Sequence, residues 1–269
     1  MKFKMALLPL KDDNNIVNIK FQYMTLTIII SCVVTFLWQI SLGAEQSKII
    51  YGLGTIPSVL FGIKELSPNL IIIPETLTIL SSLFLHGGWM HLIFNMLFLW
   101  VFGDNIEDSM GHLRFISFYF ICGILATLTH ATIEPSSISP LIGASGAISG
   151  VLGAYLVIHP KARVLVLFMN IIPLRLPAIV VLGFWIGLQF LSLNNENGTA
   201  WWAHIGGFIG GMILIIPFRK KQIVLFNQWK SLDKAKATAT HSTTVKRAPT
   251  IIPQSIQKNI HFSKKTKKR

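Results

Sequence analysis

The chain has 269 residues, 52% hydrophobic and 13% charged, with a mean hydropathy of +0.58 and a formal net charge of +13. Soluble domains carry about a quarter charged residues, so this composition excludes an ordinary soluble globular protein and makes membrane spans the first thing to locate. The positive charge would suggest nucleic acid in a soluble protein; here its uneven placement reads as a topology signal, and no nucleic-acid partner is expected. Cys32 and Cys122 both fall inside apolar runs and read as buried thiols without a disulfide framework. Neither CxxC nor HExxH occurs, so no metal and no cofactor is signalled.

Residues 1–20 are polar and carry four lysines. Residues 21–44 are uncharged and give span 1, because about 20 apolar residues cross a bilayer. A signal peptide is the alternative, but its apolar core runs only about 7–15 residues. Residues 45–76 form a mixed loop with Pro57, Pro68 and Pro74, and its short apolar pieces suit an interfacial or re-entrant segment. Residues 76–103 contain no Lys or Arg, and span 2 is placed at 83–102, before a short polar connector at 103–114. Residues 115–133 give span 3, and 134–142 a turn-rich loop. Span 4 covers 144–158 and stops at His159-Pro160. A mixed stretch at 161–175 reads as an interfacial connector, 176–193 as span 5, the polar run at 194–198 as a loop, and 203–217 as span 6. From residue 218 the chain is basic and aperiodic and is expected to be a disordered cytoplasmic tail. The expectation is thus an all-α, polytopic membrane helix bundle of six transmembrane helices over 21–217.

Six spans put both ends on one side. With that side cytoplasmic, every basic residue except Lys48 and Lys64 lies on it, as the positive-inside rule requires. The tail's charge suits either anionic lipid headgroups or a plain solvated anchor.

Polar side chains recur at one depth. Ser145 lies in the first turn of span 4, His204 in the first turn of span 6, and His91 and Asn95 early in span 2. These three spans run in the same direction, so at about 1.5 Å per residue all four groups lie roughly 2–15 Å below the outer surface. Intramembrane polar groups are costly and face the bundle interior or a water cavity. The serine in Gly143-Ala144-Ser145-Gly146 reads as loop punctuation, a small-residue helix contact or a nucleophile. His91 and Asn95 share one helix face and serve equally as interhelical ties; His86 and His112 read as such ties. Glycines at 146, 150 and 153, and at 206, 207, 210 and 211, strip one side of spans 4 and 6 and permit close approach. In the catalytic reading, Ser145 is activated by His204, while His91, Asn95 and the Ser145 N–H donate to an oxyanion. No carboxylate lies in spans 4 or 6, so the pair would act as a dyad.

The residues His86-Gly-Gly-Trp-Met-His91-Leu-Ile-Phe-Asn95, Gly103-x-x-x-Glu107-x-x-x-Gly111, Gly143-Ala-Ser145-Gly146 and Ala203-His204-Ile-Gly-Gly207 with Gly211 together resemble the rhomboid family of intramembrane serine proteases. The resemblance covers about residues 50–217. It implies Ser145 as nucleophile, His204 as base, and His91 and Asn95 lining the oxyanion hole. It also implies a six-helix bacterial form in the inner (cell) membrane, with single-span membrane proteins cut near the outer surface. Entry past span 5 would follow, with Phe184, Trp185 and Phe190 either gating or facing lipid. Two departures stand out. Leu77-Thr78 occupy the place of the family's Trp-Arg, and Ser149 stands where some members have an aromatic against the base, so another group must orient His204. An inactive relative and a transporter are the competing readings; both catalytic residues are present, and the spans lack the charges that ion coupling needs.

Overall fold

The computed structural model describes residues 7–169, 171–193 and 200–225. The expected loop at 194–198 and the tail from 226 onward lie outside these residues. In chain order the elements are β1 (Leu7–Asp12), α1 (Tyr23–Ser41), the short helices α2 (Gln46–Leu53), α3 (Pro57–Leu60) and α4 (Thr78–Ser81), then α5 (Trp89–Met110), α6 (His112–Ile133), α7 (Ser145–Ile158), β2 (Arg163–Phe168), β3 (Ile172–Pro177), α8 (Ala178–Leu191) and α9 (Trp201–Phe218).

The chain is mostly helical. Helices α1, α6 and α9 are each long and apolar enough to cross a membrane, and the segment Glu75–Phe84 with α5 forms a fourth candidate, bent by 79°. Helices α7 and α8 are apolar but have 14 residues each, about 21 Å. Among the described residues, length alone therefore supports three or four spans. For α7 the shortness has a physical reason. From Gly146 to Ile158 every residue but Leu156 is buried, so its surroundings are protein, and a helix apolar all round belongs at the centre of a bundle.

Glycine sets how closely α7 and α9 meet. A Cβ built at Gly207 would lie 2.1 Å from the Gly146 carbonyl oxygen, and one at Gly211 1.9 Å from that of Gly150. The two backbones touch, which brings the N-terminal turns of α7 and α9 together.

Two expectations about polar stretches fail. Residues 103–110 are not a connector: α5 runs on to Met110, and the turn into α6 is Gly111 alone, at φ 85°. Acidic residues normally end a span, but here Glu107 is taken up by the start of α1 and Asp108 by the segment just before it. The fully buried Glu107 carboxylate accepts hydrogen bonds from the backbone N–H of Met24 and Thr25 and from the Thr25 hydroxyl, at 2.7–3.0 Å. Asp108 accepts from the N–H groups of Val17, Asn18 and Ile19. The Glu107 carboxylate thus sits at the N-terminus of α1, where orphan donors and the helix dipole both favour a negative charge.

The fold is also not purely helical. Residues 7–12 and 161–175, expected as a polar terminus and a connector, contribute to a three-stranded antiparallel sheet in the order β1-β2-β3. Val164 and Val166 alternate inward along β2, which is the period-2 pattern of a half-buried strand. Strand β1 pairs with β2 through a register shift between Pro9 and Lys11, and the proline stands on the edge strand, where a missing N–H is tolerated. Asp12 then anchors β1 to the helices, accepting hydrogen bonds from Tyr155 Oη on α7 and Asn105 Nδ2 on α5.

Candidate active site

The segment before α7 is pinned on both sides. Thr55 and Leu141 exchange backbone hydrogen bonds of 3.1 and 2.7 Å, and Gly143 N–H donates to the Ser82 carbonyl at 2.9 Å. Gly143 has φ +119°, a conformation that side chains rarely adopt. The helix begins two residues later at Ser145, so the serine occupies the first helical position. Its backbone N–H has no intrahelical partner there and stands at the positive end of the dipole.

His204 is the fourth residue of α9. Its Nε2 lies 2.8 Å from Ser145 Oγ, although 59 residues separate them in sequence. Its Nδ1 lies 2.8 Å from Gln189 Oε1 on α8. The ring packs against two indoles, with centroid distances of 5.8 Å to Trp185 and 6.1 Å to Trp201.

His91 and Asn95 line the same cavity of about 950 Å³ as Ser145 and His204. Both converge on Gly143: a Cβ there would lie 2.8 Å from His91 Nε2 and 3.7 Å from Asn95 Nδ2. A side chain at 143 would fill the space in front of both nitrogens, so glycine keeps it open. The Gly87 N–H donates to His91 Nδ1 at 3.3 Å. A neutral His91 therefore carries its proton on Nε2, facing that space. Asn95 Nδ2 is buried and, among the described residues, has no hydrogen-bond partner. A buried amide donor without an acceptor is costly, and an acceptor arriving in the cavity would satisfy it. The structure thus brings all four sequence-nominated residues around one cavity.

The other nominated groups separate. His86 is fully buried, its backbone clamped by Gln39, which donates to the His86 carbonyl at 2.7 Å and accepts from its N–H at 3.2 Å. His112 pairs with Glu107 through Nδ1. The His86 backbone thus ties the loop before α5 to α1, while its ring reaches only the Phe84 carbonyl in the same loop, and His112 ties the start of α6 to α5. Trp185 lines the cavity, whereas Phe184 and Phe190 are exposed. Gln189 escaped the sequence reading. Its signal was available: with Trp185 and Ser192 it is one of three side chains in the 176–193 segment that carry hydrogen-bonding groups, and the only one of the three with an amide. Among the described residues, no cluster of three or more His, Cys, Asp or Glu is placed to hold a metal ion.

A family model described as "Rhomboid domain" matches residues 74–221. Among curated proteins, the chain is 35% identical to "Rhomboid protease GluP" of Bacillus subtilis over 153 residues, which is 57% of this chain and 28% of that protein. It is 36% identical to "RHOMBOID-like protein 4" of Arabidopsis thaliana over 138 residues, 51% of this chain and 32% of the relative. It is 32% identical to "Rhomboid protein 1, mitochondrial" of Saccharomyces cerevisiae over 152 residues, 52% and 41%. The alignments thus span less than half the length of each of these relatives.

Proposed function

The chain belongs to the rhomboid family of integral membrane proteins, and we propose that it is a serine endopeptidase cutting single-span membrane proteins near the outer membrane surface. One observation carries the reading: Ser145 Oγ and His204 Nε2 stand 2.8 Å apart beside a cavity in which Asn95 Nδ2 has no partner among the described residues. Serine is a weak nucleophile until a base takes its proton. His204 Nε2 is that base. As Oγ bonds to the scissile carbonyl carbon, the carbonyl's electron pair moves onto its oxygen. Asn95 Nδ2–H, His91 Nε2–H and the Ser145 N–H donate to that oxyanion; one such donor is worth roughly 2.7–4 kcal/mol in a protease where it has been removed. The tetrahedral intermediate collapses, the leaving amine takes the proton from His204 Nε2, and an acyl-serine remains. Water, deprotonated by the same nitrogen, releases the acid and restores Ser145.

In this reading the bundle spans the membrane six times, with α7 and α8 as the short fourth and fifth spans and both termini cytoplasmic. The substrate enters past α8, and the basic tail meets anionic headgroups. The test is cleavage of a transmembrane model substrate by purified protein in liposomes, alongside fluorophosphonate labelling. Ser145→Ala should abolish both, and His204→Ala should bring cleavage to the same background, because residues acting as a unit lose activity non-additively. Wild-type cleavage by Ser145→Ala, with unchanged labelling, would refute the reading.

A further inference from the structure

We propose that Gln189 is a positioning residue that fixes the tautomer and orientation of His204, turning the serine–histidine pair into a Ser145–His204–Gln189 series. The proposal rests on Ser145 and His204 being nucleophile and base. Gln189 sits on α8 and is 5% exposed. Its Oε1 lies 2.8 Å from His204 Nδ1, and its Nε2 donates to the Trp185 carbonyl at 2.9 Å. The second bond decides how the amide lies. Turned over, it would set Oε1 against the carbonyl oxygen of Trp185, two acceptors face to face.

With Oε1 toward the ring, only a protonated Nδ1 completes the contact. A neutral imidazole has one proton, so Nε2 keeps its lone pair, and that lone pair meets Ser145 Oγ at 2.8 Å. This is the tautomer that proton abstraction requires. An isolated histidine side chain favours the opposite form, with the proton on Nε2, where it could not accept from the serine. Something in the protein has to reverse that preference. A carboxylate is the usual means, but a buried charge at membrane depth is expensive. A neutral amide with both ends hydrogen-bonded fixes the same tautomer without that cost. The same turn of α8 presents the Trp185 ring to His204, so ring orientation and proton placement are set together.

Three measurements test this. Gln189→Leu removes the bond while keeping bulk. Its kcat should fall about tenfold or more with KM nearly unchanged, the mark of a contact that matters to the chemical step. The 15N spectrum of histidine-labelled protein should show His204 protonated on Nδ1 in wild type and shifting toward Nε2 in this variant. Gln189→Glu places a negative charge against Nδ1. It should stay active, with the acidic limb of its kcat/KM–pH profile moved upward by about one unit or more. The other ionisable groups lining the cavity, His91, His130 and Glu134, are unchanged in that variant, so the shift reports the Gln189 contact. A simple tie between α8 and α9 would lower the melting temperature without moving the limb.

The proposal is overturned if Gln189→Leu keeps wild-type kcat and tautomer, or if folded Gln189→Glu keeps the wild-type profile. If the leucine variant does not fold, the glutamate profile decides. If neither folds, the wild-type spectrum decides, a proton on His204 Nε2 overturning the proposal and one on Nδ1 sustaining it. Fluorophosphonate labelling separates the two levels of failure. Labelled wild type with unaffected Gln189 variants refutes the role of Gln189 alone, whereas unlabelled wild type refutes the assignment of Ser145.

Discussion

Gly207→Ala tests whether the backbone contact between α7 and α9 is what holds the site together. The new Cβ would lie 2.1 Å from the Gly146 carbonyl oxygen, and neither partner is a flexible side-chain end. Ordinary contact begins at 3.4 Å, so the helices must part by about 1.3 Å. Gly207 is less than one turn from His204, and Gly146 is next to Ser145. The separation therefore passes almost undiminished to the 2.8 Å contact between Ser145 Oγ and His204 Nε2, opening it to about 4 Å, beyond hydrogen-bonding range. A misplacement of about 1 Å costs roughly a hundredfold in rate. Overpacking itself costs about 1–3 kcal/mol, which a bundle of this size can absorb as a lowered melting temperature. Cleavage of a transmembrane substrate in liposomes should fall about a hundredfold while most of the protein stays folded. Gly187→Ala is the control. A Cβ there meets nothing within 4 Å, and the exchange should leave activity unchanged and slightly favour the helix. Wild-type cleavage by Gly207→Ala would show that the site does not depend on this backbone approach.

Asn95→Ala should lower turnover by about 10²–10³-fold with little change in melting temperature, because its Nδ2 has no partner among the described residues; a marked fall in melting temperature instead would make it a structural tie. Glu107→Ala should destabilise the fold by on the order of 3 kcal/mol in a thermal or denaturant melt, since three donors at the start of α1 lose their acceptor. The docking of β1 should depend on pH. Burial pushes the Asp12 carboxyl up to about 7, with the nearby Asp104 adding to the effect and the bond from Tyr155 opposing it. A folded-state pKa above the unfolded one gives stability that is complete below about 4 and is lost as pH rises through about 7. The exchange protection of the amides in residues 7–12, taken relative to the intrinsic rate at each pH, should therefore fall between these limits, and Asp12→Asn should flatten that fall; an unchanged slope in that variant would assign the effect to another group.

The sequence yields the residues of the site more readily than the path of the chain around them. Ser145, His204, His91 and Asn95 are visible because polar groups are rare and costly in apolar spans, and because glycine marks where two helices can touch. What the sequence hides is pairing between distant segments. Strand β1 reads as a polar terminus until its partner β2, about 150 residues later, is known. Residues 103–110 read as a connector because their carboxylates end a span by composition; only the amides of residues 17–25, brought against them by the fold, let the helix continue. Gln189 is hidden by the same logic. Its polarity in an apolar segment announces that some partner exists, and its position one turn after Trp185 fixes the face it uses, but nothing local says that the partner is His204. The absence of a carboxylate from α7 and α9 leaves His204, the proposed base, without a carboxylate to orient it on those helices. In the proposed series that group stands on a third helix, as an uncharged amide that accepts from Nδ1 and holds its own orientation by donating to a carbonyl.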